Sequence, residues 1–350
     1  NQTFSRYKDY ESSQNLSDIE DVLITEITNE LVEDILAKLE TNPYGATLCL
    51  NQEATLDQAK KAQNLIDSGD KRTLVGVPIM HKDVLVTKEW NTTAGSKILS
   101  GYKSPFNAEV VNRLSDNGMI CLGKTSCDEF AMGSANQNCA FGKCYNPWDP
   151  RAVPGGSSGG SAAVVSAGLV PAATGTDTGG SIRQPAAMCG ISGIKPTYGR
   201  VSRWGLIAYA SSLDQAGPIA RSALDCAILL DAMSGFDKKD STSLNVSNES
   251  FSDNLDTPFE SGNVTRPLAG LSLGVPEEYF SEALDNDVAV SVKNGIKSFE
   301  SMGAKIKTIS LPNTKFAVAA YYVVAPAEAS SNLSRFDGVR FGHRSANNKS

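Results

Sequence analysis

Short apolar segments alternate with helical stretches along most of this chain, and that alternation restricts its fold more than any other feature of the sequence. Residues 74–86, broken by Pro78, and residues 119–122, 170–174, 271–275 and 305–309 read as strands, the first largely apolar as a buried strand is, although it carries His81, Lys82 and Asp83 toward its end. Between them, residues 108–117, 158–168, 222–234 and 287–302 read as helices, the last two ending at Gly235 and Gly303. Upstream, Ile19, Leu23, Ile27, Leu31, Ile35 and Leu39 recur every four residues. With Ser17 and Glu20 as a capping box they predict a helix over 17–42, and a second helix begins near Thr55. The pattern predicts an α/β fold, with a mixed, largely parallel central sheet covered by helices on both faces. Residues 1–70 form an N-terminal helical region on this reading, residues 71–350 the α/β domain, and the polar stretch 238–267 a long surface loop.

Charge and cysteine content remove several function classes. With 32 basic against 39 acidic residues the net charge is −7, and no block of like charges marks a nucleic-acid-binding tail. No run approaches the roughly 18 apolar residues of a membrane span, and residues 1–13 lack the basic-plus-apolar pattern of a signal peptide. The seven cysteines include no CxxC pair and only two histidines accompany them, which predicts a reduced, cytoplasmic protein without a metal site. The Asn-x-Ser/Thr triplets at Asn91 and Asn332 are then compositional accidents. The chain starts without Met and stops at Ser350 within polar sequence, so it reads as a fragment.

Residues 118–125 satisfy the phosphate-binding pattern GxxxxGK[ST], ending in Gly123-Lys124-Thr125. A phosphate cradle is exposed backbone after a strand, whereas Met, Ile, Cys and Leu between these glycines are the strand itself, so the match is structural. The denser signal is Pro154-Gly-Gly-Ser157-Ser158-Gly-Gly-Ser161, followed by Thr176-Asp-Thr178-Gly179-Gly180-Ser181. A flexible linker would have the first composition, yet here it continues directly into helix and strand.

Acyl transfer needs a hydroxyl nucleophile, a base to take its proton, and N–H groups aimed at the developing oxyanion. The two glycines before Ser181 let the chain turn with its N–H groups bare, which suits Ser181 as nucleophile. Neither His81 nor His343 stands in a triad context. Lys82 is the other candidate base, because desolvation on an apolar strand lowers a lysine pKa; equally, it reads as a strand-end lysine paired with Asp83. Asp177 and Arg183 read as an ion pair bracing the turn, and Cys189 as a small buried hydrophobe.

Gly155-Gly-Ser-Ser-Gly-Gly-Ser161, Gly175-Thr-Asp-Thr-Gly-Gly-Ser-Ile-Arg-Gln-Pro-Ala186 and His81-Lys82-Asp83 together resemble the amidase signature family. The resemblance implies the amidase-signature fold and a Ser-cisSer-Lys set: Ser181 as nucleophile, Ser157 after a cis peptide as proton relay, and Lys82 as base. It also implies an oxyanion hole from the backbone N–H groups of Thr178, Gly179, Gly180 and Ser181. Segments 128–133, 193–202, 210–215 and 328–338 are similar to the family's tRNA-dependent amidotransferase branch. That likeness implies glutamine hydrolysis that supplies ammonia to amidate Glu-tRNA(Gln) or Asp-tRNA(Asn). It implies partner subunits B and C in a heterotrimer that contact the misacylated tRNA, no cofactor in this chain, and ATP and Mg²⁺ on the partner. It implies too that Tyr321 touches substrate and that the residues gripping the amino-acid end of glutamine lie mostly beyond Ser350. The alternative readings are a free-standing amidase and a nonenzymatic assembly subunit.

Overall fold

A computed structural model describes residues 29–253, 255 and 257–346. The chain divides into two compact units, one of residues 1–251 with 325–350, the other of residues 252–324. The boundary at residue 252 falls inside the polar stretch 238–267, whose described residues form no helix or strand.

In the first unit six strands form one sheet: β1 (Thr47–Leu50), β2 (Pro78–Lys82), β3 (Ile120–Thr125), β4 (Ala172–Asp177), β5 (Ser192–Gly193) and β6 (Gln215–Ala220), in the order β1-β3-β2-β4-β6-β5. The three central strands β3, β2 and β4 run parallel, whereas β1, β6 and β5 pair antiparallel at the flanks. The parallel character expected from the alternation is thus confined to the centre. Strand spacing alone could not reveal the flanks, since a short return such as 193–215 reverses direction without a crossover helix.

The helices follow the sequence signals closely. α1 (Asn29–Thr41) buries Val32, Ile35, Leu36 and Leu39 on one stripe; the capping box expected at Ser17 lies outside the described residues. α2 (Gln52–Asp67) starts earlier than expected, because the Asn51 side chain accepts from the N–H of Ala54 and caps it. β1 and α2, from the first seventy residues, belong to the sheet and its cover. α3 (Glu109–Asp116) and α6 (Ala223–Met233) lie within the predicted spans, and α6 begins in a Ser222–Asp225 capping box. α4 (Gly159–Ser166) consists of small residues, is buried from Gly159 to Val165, and packs on β4. Glycine and serine are poor helix formers, so burial rather than propensity holds α4. α5 (Arg183–Cys189) follows the Ser181 turn.

In the second unit β7 (Ser272–Pro276) and β8 (Lys305–Ile309) pair in parallel through α7 (Asn286–Ser301), a βαβ crossover. α8 (Thr314–Leu333) starts in that unit, contains Pro326, and from Ala325 onward belongs to the first unit. Among the described residues no helix is long and apolar enough to cross a membrane, and no group of three or more His, Cys, Asp or Glu side chains is placed to hold a metal ion.

Candidate active site

Parallel pairing aligns the carboxyl ends of β2 and β4, and Lys82 and Asp177 are the last residues of those strands. That edge is where open α/β sheets place their chemistry. Lys82 is fully buried. Its Nζ lies 2.7 Å from Ser157 Oγ and 2.8 Å from Thr176 Oγ1, so two hydroxyls rather than a carboxylate meet the amine. Burial pushes its pKa down to about 8, against a weaker upward pull from Cys127, Asp128, Asp177 and Asp214.

Asp83 does not pair with Lys82, which closes the alternative reading of that lysine. Its carboxylate lies 3.2 Å from the Nζ of Lys124 on β3, and it accepts from Thr93 and from the N–H of Gly95. Lys124 also donates to Leu85 O at 2.7 Å and Thr92 Oγ1 at 2.9 Å. The residues matching the phosphate-binding pattern are therefore a buried strand whose lysine is engaged within the protein. His81, next to Lys82 on β2, has the opposite side-chain direction expected of a strand neighbour. Its ring bonds Thr174 Oγ1 at 3.1 Å, and burial, helped by the charge of Lys124, pushes its pKa down to about 3.

The Gly156–Ser157 peptide is cis, as the resemblance implied. Ser157 is fully buried, and its carbonyl accepts from the N–H of Asp128. Ser158 fastens this turn to β4: its hydroxyl donates to Thr176 O at 3.1 Å and accepts from Thr176 N at 3.2 Å. Its own N–H reaches the carbonyl of Ser181, which ties the two serine segments together. Ser181 retains 8% of its surface, and among the described residues its Oγ makes no hydrogen bond.

Asp177 organises the turn that carries Ser181. Its carboxylate accepts from the N–H groups of Gly180 at 2.9 Å and Ile182 at 3.1 Å, and pairs with the Arg183 guanidinium at 2.9 and 3.0 Å. Burial raises its pKa, but Arg183 and these N–H donors outweigh that and hold it below the usual carboxylate range. The bracing ion pair is as expected. The expected oxyanion role of Gly180 is corrected, because its single N–H proton is already given to Asp177. What Gly180 supplies is its backbone: at φ +131° a side chain would be strained.

Asp214, Thr176 and Ser158 carry no role in the sequence reading. Asp214 accepts from Thr178 Oγ1 at 2.5 Å and from the N–H groups of Tyr209 and Ala210, so it holds the turn at Thr178 as Asp177 holds it at Gly180. Burial raises its pKa. It falls inside segment 210–215, which marks a position but no contact. Cys189 is buried with its sulfur 3.4 Å from Pro154 O, and burial pushes the thiol up to about 12, which removes it as a nucleophile. Tyr321 lies in the second unit, its ring edge-on to Tyr322 with centroids 5.6 Å apart.

Residues 30–350 match the Amidase family. This chain belongs to the amidase family. It is 59% identical over 318 residues to the A-subunit of glutamyl-tRNA(Gln) amidotransferase from Paraburkholderia xenovorans and 57% identical over 319 residues to that from Burkholderia pseudomallei. Each alignment covers 91% of this chain and 64% of the relative. The chain thus spans a little under two thirds of the length of these relatives. Among solved structures, the A-subunit of the same amidotransferase from Thermotoga maritima aligns with a TM-score of 0.77 at 38% identity, over 92% of this chain and 67% of that one. The peptide amidase of Stenotrophomonas maltophilia aligns with a TM-score of 0.80 at 29% identity, over 93% and 67%.

Proposed function

We propose that this chain is the glutaminase subunit of a tRNA-dependent amidotransferase. The observation that carries the reading is a fully buried lysine, with a lowered pKa, bonded to the cis-peptide serine directly beside the turn of an uncommitted serine. The relatives' identity of 57–59% supports the choice of branch.

On this reading Ser181 Oγ attacks the side-chain amide carbon of glutamine while its proton passes through Ser157 Oγ to neutral Lys82. A hydroxyl donates and accepts at once, so Ser157 can serve both neighbours. The oxyanion is met by the remaining N–H groups of the turn, those of Thr178, Gly179 and Ser181. Lys82 returns the proton through Ser157 to the leaving nitrogen. The C–N bond breaks, ammonia departs, and a γ-glutamyl ester remains on Ser181. Water, deprotonated by the same pair, then releases glutamate. The ammonia goes to partner subunits B and C in the cytoplasm, where a site using ATP and Mg²⁺ activates Glu-tRNA(Gln) or Asp-tRNA(Asn); the net charge of −7 suits a chain that leaves tRNA contact to its partners.

The test is ammonia release from glutamine by the complete protein, alone and with its partner subunits and charged tRNA, with Ser181→Ala as control. Release that requires Ser181 and rises with partners and tRNA is expected. Fast release indifferent to partners would point instead to a free-standing amidase, and none under any condition to an assembly subunit.

A further inference from the structure

The segment 209–214, which holds the Ser181 turn through Asp214, is itself held by a helix remote in sequence. Glu328 and Asn332 stand one turn apart on α8, so they share a face. The carboxylate of Glu328 accepts from the N–H of Ser212 at 2.9 Å and from the Ser212 hydroxyl. Asn332 Nδ2 donates to Tyr209 O at 3.1 Å, and its Oδ1 accepts from Ser211 Oγ at 3.2 Å. On its other side the segment is bonded by Tyr198, whose hydroxyl donates to Ser211 O at 2.7 Å, and by Arg203. The segment closes on Asp214, which takes the N–H groups of Tyr209 and Ala210 and, with its other contact, the hydroxyl of Thr178.

We propose that Glu328 and Asn332 are positioning residues for acyl transfer, setting the oxyanion N–H groups of the Ser181 turn through segment 209–214 and the Asp214–Thr178 hydrogen bond. The inference rests on the proposed role of Ser181. The chain of contacts is continuous and each link is a directional hydrogen bond. Four bonds from two residues fix the segment against α8, whereas a single bond joins Asp214 to Thr178. Withdrawing the α8 contacts lets the segment shift, and Thr178 with it. Oxyanion donors act only when aimed at the oxygen of the transition state, so a shift of about 1 Å costs on the order of 100-fold in rate without weakening ground-state binding comparably. The hydrogen bonds of both residues go to segment 209–212 and not to Lys82, Ser157 or Ser181, so each acts through another group.

The experiment measures glutamine hydrolysis by the complete protein and its inhibition by the γ-aldehyde analogue of glutamine, which forms a tetrahedral adduct on the serine and thereby reads the oxyanion site. Glu328→Ala is expected to lower kcat about 10- to 100-fold with KM changed less than about twofold, and to weaken aldehyde inhibition by the same factor as kcat. Glu328→Gln, which keeps an acceptor for the Ser212 N–H, should recover most of the loss. Asn332→Ala provides an independent second variant with the same signature. In a Thr178→Val background, where the link to Asp214 is already cut, adding Glu328→Ala should change kcat less than about twofold. Retention of kcat within about twofold in both alanine variants, or losses that leave aldehyde inhibition unchanged, would overturn the proposal while leaving the nucleophile intact. Activity indifferent to Ser181→Ala would overturn the nucleophile and this inference together.

Discussion

Lys82 and Lys124 sit on adjacent parallel strands, one pairing position apart in register, and both are fully buried. Around Lys82 the polar neighbours in bonding distance are chiefly hydroxyls, Ser157 and Thr176; around Lys124 they are a carboxylate, a carbonyl and a hydroxyl. Equal depth therefore produces two different devices. A buried amine met by a carboxylate is a structural ion pair, whereas one met by hydroxyls can stand neutral and exchange a proton with them. What separates the proposed base from a brace on this sheet is the partner's chemistry, a choice made one strand away.

The comparison breaks most visibly in activity. Ser181→Ala should lower amide hydrolysis by roughly 10,000-fold or more, and Lys82→Ala by about 1,000-fold, with circular dichroism and melting behaviour close to the parent. Surviving turnover in either variant would remove that residue from the mechanism. Stability sorts the lysines the other way. Lys124→Met leaves Asp83 buried without its cation and should cost about 3–5 kcal/mol in denaturant unfolding, the usual penalty for breaking a buried pair from one side. A loss below about 1 kcal/mol would mean that Asp83 is satisfied by Thr93 and Gly95 alone.

Acidity sharpens the contrast further. Because Lys82 must be neutral to accept a proton, kcat/KM should rise about tenfold per unit below its pKa of about 8 and level off above it. A flat profile between about pH 6 and 9 would contradict the lysine base. The same lowered pKa makes unfolding release the penalty of burying a charge. Between about 8 and 10.5 the unfolded chain keeps the Lys82 proton that the folded chain has lost, so Lys82 by itself adds stability with rising pH there, a contribution that the difference between the parent and Lys82→Met should isolate. The smallest effect concerns the phosphate-binding look-alike at 118–125: equilibrium dialysis of the isolated chain should detect no ATP binding, and Lys124→Met should leave that null result unchanged.

Much of this is legible in the sequence. Strand and helix periodicities place β8 to the residue and α6 to within one residue at each end, because caps and apolar spacing are local signals. Ser157, Ser181 and Lys82 are legible through motif resemblance. What stays hidden depends on contacts across the sheet. Asp83 is adjacent to Lys82 in sequence but bonds Lys124 on the next strand. The Gly180 N–H reads as a free donor in sequence, yet the Asp177 side chain folds back onto it. Asp214 lies 36 residues from its partner Thr178, and the antiparallel flanks depend on turns that carry no periodicity of their own.

Helix α4 has a consequence for how this site can tolerate change. Its second residue, Gly160, lies so close to Ser126 and Ala46 that an added methyl would overlap backbone atoms of both, and the helix begins just after Ser157, the proposed relay, and its neighbour Ser158. The depth at which Ser157 rests is therefore set by atoms that are missing. Adding one carbon there would act like a shim under a precision part, lifting the relay away from Lys82 while the sheet beneath stays whole. Mutational scans of such a helix should find volume, more than polarity, to be the quantity that grades activity.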